Sequence, residues 1–119
     1  MTDGSAGDDS GQNGQAFWIL RDASAAVIRL SVSGALDIAT VPALQTQLQA
    51  DRLTAAISVT LDLTGLSFID SYGLRTIIRA AEELAPRLTI IPGGHLLRLL
   101  RLTGLEARLP LDPRAPPAT

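Results

Sequence analysis

The sequence predicts an α/β domain with a mixed β-sheet of four to five strands and helices packed against it. Two spacings of apolar residues support this fold class. Residues 57–63 (ISVTLDL) alternate apolar and polar side chains, as a half-buried strand does, whereas residues 71–85 repeat their apolar side chains at helical spacing. The two patterns alternate along the chain after an initial hairpin, and this order favours a layered α/β architecture.

The first half of the domain begins with two predicted strands, Phe17–Leu20 and Ala25–Val32, joined by a turn at Arg21–Ser24. The pair Ser33-Gly34 is predicted to end the second strand. Thr40 then precedes an early proline, which is typical of an N-cap and the first turn of a helix. The apolar stripe of this helix comprises Val41, Leu44 and Leu48.

The second half continues the alternation. Its elements are a strand at Ile57–Leu63, a helix over 71–85, a strand at Leu88–Ile91, a turn at Pro92–Gly94 and a helix at His95–Leu102. Pro86 ends the helix over 71–85, and Gly104 is predicted to be the C′ residue of the last helix. The resulting order is β-β-α-β-α-β-α, which a short final strand at Ala107–Leu109 would complete.

One domain, residues 16–109, is flanked by two predicted tails. Residues 1–15 are mostly Gly, Ser, Asp, Gln and Asn, so they bury too little apolar surface to offset their ordering entropy, and we predict that they are disordered. Residues 110–119 contain four prolines and are predicted to form an extended tail. The start of the chain has neither a basic n-region nor a hydrophobic h-region, so we expect a cytoplasmic protein.

Composition argues against several classes of function. The 119 residues include no cysteine, which excludes disulfides and thiolate chemistry, and no apolar run approaches the roughly 20 residues that insert across a membrane. A net charge of −2 and few aromatic residues disfavour direct nucleic-acid binding. His95, the one histidine, has no catalytic or metal-binding companions nearby in sequence. We therefore predict a protein that is not an enzyme and needs no cofactor or metal.

The segment Val59–Leu84 carries the strongest functional signal. The segment is predicted to form a buried strand, then a short loop, then an amphipathic helix, with Asp70 and Ser71 at the start of that helix. A phosphate there would meet free backbone N–H groups and the positive end of the helix dipole. From the residues alone, Ser71 is either a phosphoacceptor or only a helix cap. Asp70 is the N-cap, a group that orients the hydroxyl and a kinase metal, or both.

Three segments, in this order, resemble the STAS domain of bacterial anti-sigma factor antagonists. Ser33–Asp37 (SGALD) is similar to the family's G-E-L-D and is followed by Thr40 and a helix. Leu61–Leu74 resembles the family's strand, short loop and D-S-[ST]-G-L signature, and Leu96–Leu105 (LLRLLRLTGL) resembles its last helix. The matches span about residues 16–109, so the resemblance implies a single STAS-like domain.

The resemblance implies an anti-sigma factor antagonist that regulates sigma-factor-dependent transcription. By position, Ser71 is the family's phosphorylation site, which an anti-sigma factor with serine kinase activity modifies and a phosphatase restores. The unmodified protein would bind the anti-sigma factor, and the phosphorylated protein would release it. The residues expected at the partner surface are Asp37, Thr40, Asp70, Ser71, Tyr72, Gly73 and Arg75.

Two residues depart from the family pattern. Ala35 stands where glutamate is usual, and Tyr72 stands where a second Ser or Thr is typical. The phenol next to the acceptor either obstructs a kinase or changes its specificity. Asp37 is either a partner contact or a turn residue with an Asx bond, and Arg75 either pairs with the phosphate or contacts the partner. The alternative functions are an accessory subunit of a membrane transporter and a STAS binding module that is no longer phosphorylated.

Overall fold

The computed structural model of the chain describes residues 17–24, 26–53 and 56–112. The predicted N-terminal tail (1–15) and the end of the predicted C-terminal tail (113–119) lie outside this part. The strands are β1 (Trp18–Ser24), β2 (Val27–Leu36), β3 (Ser58–Ile69) and β4 (Leu88–Ile91), and the helices are α1 (Val41–Leu53), α2 (Ser71–Leu84) and α3 (Gly93–Thr103). Their order along the chain is the predicted β-β-α-β-α-β-α.

The described strands form one mixed sheet in the order β1-β2-β3-β4. β1 pairs antiparallel with β2, whereas β2, β3 and β4 run parallel. Parallel neighbours need crossover connections, which α1 and α2 supply. Since such crossovers are right-handed, both helices lie on one face of the sheet, where they contact each other. The predicted α/β class with a mixed sheet is confirmed.

One hydrophobic core fills the space between the sheet and the helices. In β2, Ile28, Leu30 and Val32 are buried while Arg29 is exposed and Ser31 is half-buried, so the strand turns one face to the core and the other to solvent. The largest fully buried side chains include Leu30, Leu36, Leu44, Leu61, Leu63, Ile77, Leu84, Ile90, Leu96 and Leu100.

An ion pair on the open face of the sheet links β2 to β3. Arg29 Nη2 contacts Asp62 Oδ2 at 2.5 Å. Asp62 Oδ1 accepts hydrogen bonds from the backbone N–H of Thr64 at 3.0 Å and from its hydroxyl at 2.7 Å. Partial burial raises the pKa of Asp62, but these hydrogen bonds and the Arg29 charge more than offset that effect, so the pKa lies below its ordinary value.

The hairpin between β1 and β2 differs from the prediction. The turn predicted at Arg21–Ser24 is wrong, because these residues belong to β1 and pair with Val27–Leu30. Ala26 is a turn residue immediately before β2. Polar side chains fit in β1 because it is an edge strand whose side chains are mostly exposed.

The strand end predicted at Ser33-Gly34 is also wrong, since β2 continues to Leu36. Gly34 has a φ of 100°, and the register between β2 and β3 shifts between Gly34 and Ala35. Glycine therefore accommodates a bulge at this position instead of ending the strand. This extension lets β2 and β3 end side by side.

The final strand predicted at Ala107–Leu109 is wrong as well. Glu106–Arg108 forms a 3-10 helix, and Leu109 reaches the core from its end without sheet pairing. Pairing follows later in the chain. The Ile90 N–H donates to the Pro110 carbonyl at 2.9 Å, and the Asp112 N–H donates to the Ile90 carbonyl at 2.8 Å. The first residues of the predicted Pro-rich tail thus cover the outer edge of β4.

The predicted helix ends are close to the observed ones. α2 ends at Leu84, just before the predicted Pro86 stop. α3 begins at Gly93 and not at His95, so the predicted turn before it is largely its first helical turn. Gly104 ends α3 in the left-handed conformation with a φ of 76°, as predicted for the C′ residue.

Candidate functional site

The ends of β2 and β3 bring together the two loops that hold the candidate residues. Leu36 pairs with Ile69 at the last register position, and the Asp70 N–H donates to the Leu36 carbonyl at 3.2 Å. The loop Asp37–Thr40 and the start of α2 are therefore neighbours at the carboxyl ends of parallel strands. Ligand sites of open α/β sheets commonly lie at this edge.

Asp70 is the N-cap of α2. Its backbone is extended, with φ −104° and ψ −174°. Its Oδ1 accepts a hydrogen bond from the Gly73 N–H at 2.9 Å, and its Oδ2 accepts one from the Ile38 N–H at 3.2 Å. One carboxylate thus satisfies a first-turn donor and ties down the loop after β2. The N-cap alternative for Asp70 is confirmed.

Ser71 is the first residue of α2, and it is exposed. Because Asp70 occupies the cap position, the alternative in which Ser71 only caps the helix is wrong. Within the described part of the chain, the Ser71 hydroxyl makes no hydrogen bond. It lies at the positive end of α2, where the first N–H groups of a helix lack intrahelical acceptors. A hydroxyl in this position is accessible to a second protein.

Gly73 determines how closely α2 approaches β2. It is buried, and a Cβ at this position would lie 2.5 Å from the Leu36 carbonyl oxygen and 2.9 Å from Ile69 Cγ1. No side chain fits in that space. Gly73 therefore positions Ser71 and offers no side chain of its own to a partner.

Asp37 and Thr40 hold the loop after β2 in shape. Asp37 Oδ1 accepts hydrogen bonds from the N–H groups of Ala39 at 3.0 Å and Thr40 at 3.2 Å, so its Asx bond is confirmed. The Thr40 hydroxyl accepts from the Asp37 N–H at 2.9 Å and donates to the Ala35 carbonyl at 2.8 Å. Thr40 directly precedes α1, but its hydroxyl bonds the loop and not the first turn of that helix.

Five exposed side chains surround the meeting point of the two loops, and we call them the loop surface. They are Ile38, Phe68, Ser71, Tyr72 and Arg75. Three of them are apolar or aromatic and between 46% and 60% exposed. Single exposed apolar residues are ordinary, but three on segments that meet at one point form the kind of mixed surface that protein partners bind.

Ile38 and Phe68 were not among the predicted site residues. An isoleucine inside the predicted loop after β2 was a signal that sequence analysis could have used. Phe68 gave no such signal, because alternation along β3 would not expose both Ser67 and Phe68. The register shifts between β2 and β3 expose them.

The side chains on the loop surface are suited to binding. They supply a hydroxyl, a phenol, a guanidinium and two apolar groups. Among the described residues, no group of three or more His, Asp or Glu is placed to hold a metal ion. In the same part of the chain, no helix is long and apolar enough to cross a bilayer.

Comparison with known proteins connects this geometry to a family. A family model described as Mlab, STAS domain matches residues 19–111. The anti-sigma-B factor antagonist of Listeria monocytogenes is 30% identical over 83 residues, which cover 66% of this chain and 73% of that protein. The residues that the family model matches include both loops of the loop surface and all of the sheet except Trp18, the first residue of β1.

Solved structures share the fold. An anti-sigma factor antagonist from Mycobacterium paratuberculosis has a TM-score of 0.72 and 29% identity, with 82% of this chain and 86% of that chain covered. Bacillus SpoIIAA in its unphosphorylated form has a TM-score of 0.59 and 19% identity, with 83% and 90% covered. With the family model spanning nearly all of the described residues, the chain belongs to the STAS domain family.

Proposed function

We propose that this protein is an anti-sigma factor antagonist that binds an anti-sigma factor with serine kinase activity and is switched by phosphorylation on Ser71. The observation that carries the proposal is the exposed Ser71 hydroxyl, which has no hydrogen bond in the described chain while Asp70 occupies the cap. The names of the relatives support the class of partner. In the cytoplasm, binding of the anti-sigma factor would free the sigma factor and so regulate sigma-factor-dependent transcription.

The partner supplies the catalysis, and this chain supplies the acceptor. Ser71 Oγ forms a bond to the γ-phosphorus of ATP, the bond from that phosphorus to the bridging oxygen breaks, and ADP leaves. The hydroxyl proton passes to a base of the kinase. Asp70 and Gly73 contribute by fixing the first turn of α2, which keeps the hydroxyl exposed.

The fold itself tolerates the added charge. A phosphate carries about −1.5 to −2 charges at neutral pH, and on Ser71 it would lie beside free N–H groups and the positive end of the α2 dipole. The first turn of α2 contains no acidic residue, and both carboxylate oxygens of the preceding Asp70 already accept backbone hydrogen bonds, from the Gly73 and Ile38 N–H groups. The phosphorylated domain is therefore expected to stay folded, so the switch must act on the partner.

The partner contact is where the charge has its effect. The loop surface presents the neutral Ser71 hydroxyl among Ile38, Phe68 and Tyr72, so a partner covers this position without desolvating a charge there. A phosphate adds a desolvation cost and repels acidic groups. A loss of about 3 kcal/mol would weaken binding roughly 100-fold. Hydrolysis of the phosphate by a phosphatase would restore the contact.

The test is to incubate the purified protein with a candidate anti-sigma kinase and ATP and to map the modified residue by mass spectrometry. We expect one phosphate on Ser71 and none in the Ser71→Ala variant. Phosphate confined to Thr64, Ser67 or Tyr72 would exclude Ser71 as the acceptor. Tight binding without modification would identify a STAS module that is no longer phosphorylated, and binding to a transporter subunit instead would favour the transporter role.

Ser71→Glu gives a second readout in the same assay. We expect it to weaken partner binding at least tenfold and to change the melting temperature by no more than a few degrees, since an anion in the first turn suits the helix dipole. Ser24→Glu is the matched control, because it adds the same charge at the opposite end of the sheet and should leave the affinity unchanged. Full affinity in Ser71→Glu would contradict the switch.

A further inference from the structure

A cleft between α1 and α2 opens next to the loop surface. It consists of two adjoining hollows of about 190 and 120 Å³, which share Gln45, Thr76 and Arg79. The larger hollow is also lined by Tyr72 and Arg75, so the cleft begins at the loop surface. Pockets for small molecules have about 300–1,000 Å³. Each hollow therefore suits side chains of another protein better than a cofactor.

Two arginines give the cleft its charge. Arg75 and Arg79 are exposed, and neither makes an ion pair or hydrogen bond within the described chain. They are four residues apart on α2, so their Cβ atoms are about 5–6 Å apart and their like charges repel. The α1 side of the cleft is lined by neutral Gln45 and Gln49. Glu83, the acidic residue that lines its far end, already has an interaction of its own.

The order of charges along α2 is the reverse of what stabilises a helix. Its first turn has no acidic residue and its last turn no basic one. Arg75 lies one turn from the N-terminus of α2 and Arg79 lies near its middle, while Glu82 and Glu83 lie in its last turn, where negative charge opposes the helix dipole. Neither arginine lies in the last turn, where the helix dipole would favour a positive charge. The protein carries a net charge of −2, so this positive cleft is a local departure from its overall charge.

We propose that the cleft binds an acidic segment of the protein partner, with two carboxylates one helical turn apart facing Arg75 and Arg79. Guanidinium groups pair with carboxylates in a geometry that Lys does not match, and the Gln45 amide offers further hydrogen bonds beside them. The proposal rests on the proposed function for the identity of the partner. It extends the binding site from the loop surface along α2 to Arg79.

The position of Arg75 connects the cleft to the switch. Ser71 and Arg75 are also four residues apart on α2, so a phosphate on Ser71 lies within reach of the Arg75 guanidinium. The phosphate and the acidic segment then compete for the same cation. Phosphorylation therefore removes one of the two positive charges from the cleft in addition to repelling the partner.

Arg79→Glu tests the cleft at a distance from the phosphorylation loop. We expect it to weaken binding of the anti-sigma partner at least tenfold and to reduce the dependence of affinity on salt. Arg98→Glu is the matched control, because Arg98 is an exposed arginine on α3 without an ion pair in the described chain, and it should change the affinity less than twofold. If the partner binds and Arg79→Glu leaves its affinity unchanged, the proposed role of the cleft is overturned. The proposed function still stands in that case if Ser71→Glu weakens binding at least tenfold.

If no anti-sigma partner binds, a model peptide can still test whether the cleft binds an acidic segment. The probe is a helical alanine-based peptide with glutamates at i and i+4, titrated into the full chain and followed by the amide resonances of α1 and α2. We expect shifts at Gln45, Arg75 and Arg79 that disappear in Arg79→Glu and are absent with a lysine peptide. Such shifts would support acidic-segment binding in the cleft even if the proposed function fails because no anti-sigma partner binds. A glutamate peptide that shifts none of these resonances would overturn the cleft as well.

Discussion

Gly73 is the residue on which the position of Ser71 depends most directly. A methyl group there would lie 2.5 Å from the Leu36 carbonyl oxygen, which belongs to the backbone of β2 and has no rotamer that would move it away. Gly73→Ala must therefore displace α2 from β2, and overpacking of this kind costs about 1–3 kcal/mol. In thermal denaturation we expect the melting temperature to fall by roughly 5–20 °C.

Gly104→Ala is the control for this substitution. Gly104 has a φ of 76°, but no heavy atom lies within 4 Å of an added Cβ. The variant thus introduces backbone strain of about 1 kcal/mol without a clash. If Gly73→Ala were no less stable than Gly104→Ala, the close approach of α2 to β2 would not matter for the fold.

The roles of Asp70 and Ser71 show what single residues reveal before a structure is known. Their pattern locates a hydroxyl at the start of a helix, but either side chain can accept a hydrogen bond from the first turn. In the structure Asp70 is the cap, and its second carboxylate oxygen accepts a hydrogen bond from the Ile38 N–H, 32 residues away in the chain. Local propensity contains no information about that contact.

At the scale of elements, two contacts hold β2 against β3. Apolar side chains of both strands pack in the core on one face of the sheet, and Arg29 pairs with Asp62 on the other face. Asp62 has a pKa below its ordinary value, because its hydrogen bonds to Thr64 and the Arg29 charge outweigh the effect of partial burial. The ionised carboxylate therefore stabilises the folded state above about pH 4, the range of an unfolded Asp. This contribution is lost as the pH falls through the lower pKa of the folded state.

Asp62→Asn should reduce the pH dependence of stability in that acidic range. We expect the free energy of unfolding, measured by urea denaturation from pH 2 to 7, to fall less steeply below about pH 4 than in the unaltered protein. Glu106→Gln is the control, because the Arg101–Glu106 pair is exposed on both sides and such pairs contribute little. An Asp62→Asn curve parallel to that of the unaltered protein would show that the carboxylate does not stabilise the fold.

The elements that could be predicted are those whose side-chain spacing reflects a buried face. Leu88–Ile91 is predicted to the residue, and α2 to within a residue, because β4 and α2 pack against the core. The first strand and the segment around Leu109, at the two ends of the domain, could not be predicted in this way. β1 exposes nearly all its side chains, so its polar residues resemble a turn, and Leu109 resembles a strand residue although a 3-10 helix carries it to the core.

The whole molecule protects the two edges of its sheet differently. β1 forms one edge, with polar residues along its exposed strand. At the other edge, the short β4 is covered by the chain that follows the 3-10 helix, since Leu111 bridges Ile90 and the flanking backbone groups hydrogen-bond to it. The segment assigned to a tail from its prolines therefore takes part in the sheet, because proline tolerates an edge position where only one side is paired.

Truncation tests how much the sheet depends on that segment. A chain ending at Leu109 loses the hydrogen bonds from Ile90 N–H to Pro110 and from Asp112 N–H to Ile90, each worth about 0.5–1.5 kcal/mol. We expect its free energy of unfolding in urea to fall by about 1–3 kcal/mol. We also expect the truncated chain to self-associate more than the full chain, because an open strand edge pairs with other chains. A chain ending at Asp112 keeps both bonds and should match the full chain. Equal stability of the two truncated chains would instead place the domain boundary at Leu109, as the composition predicts.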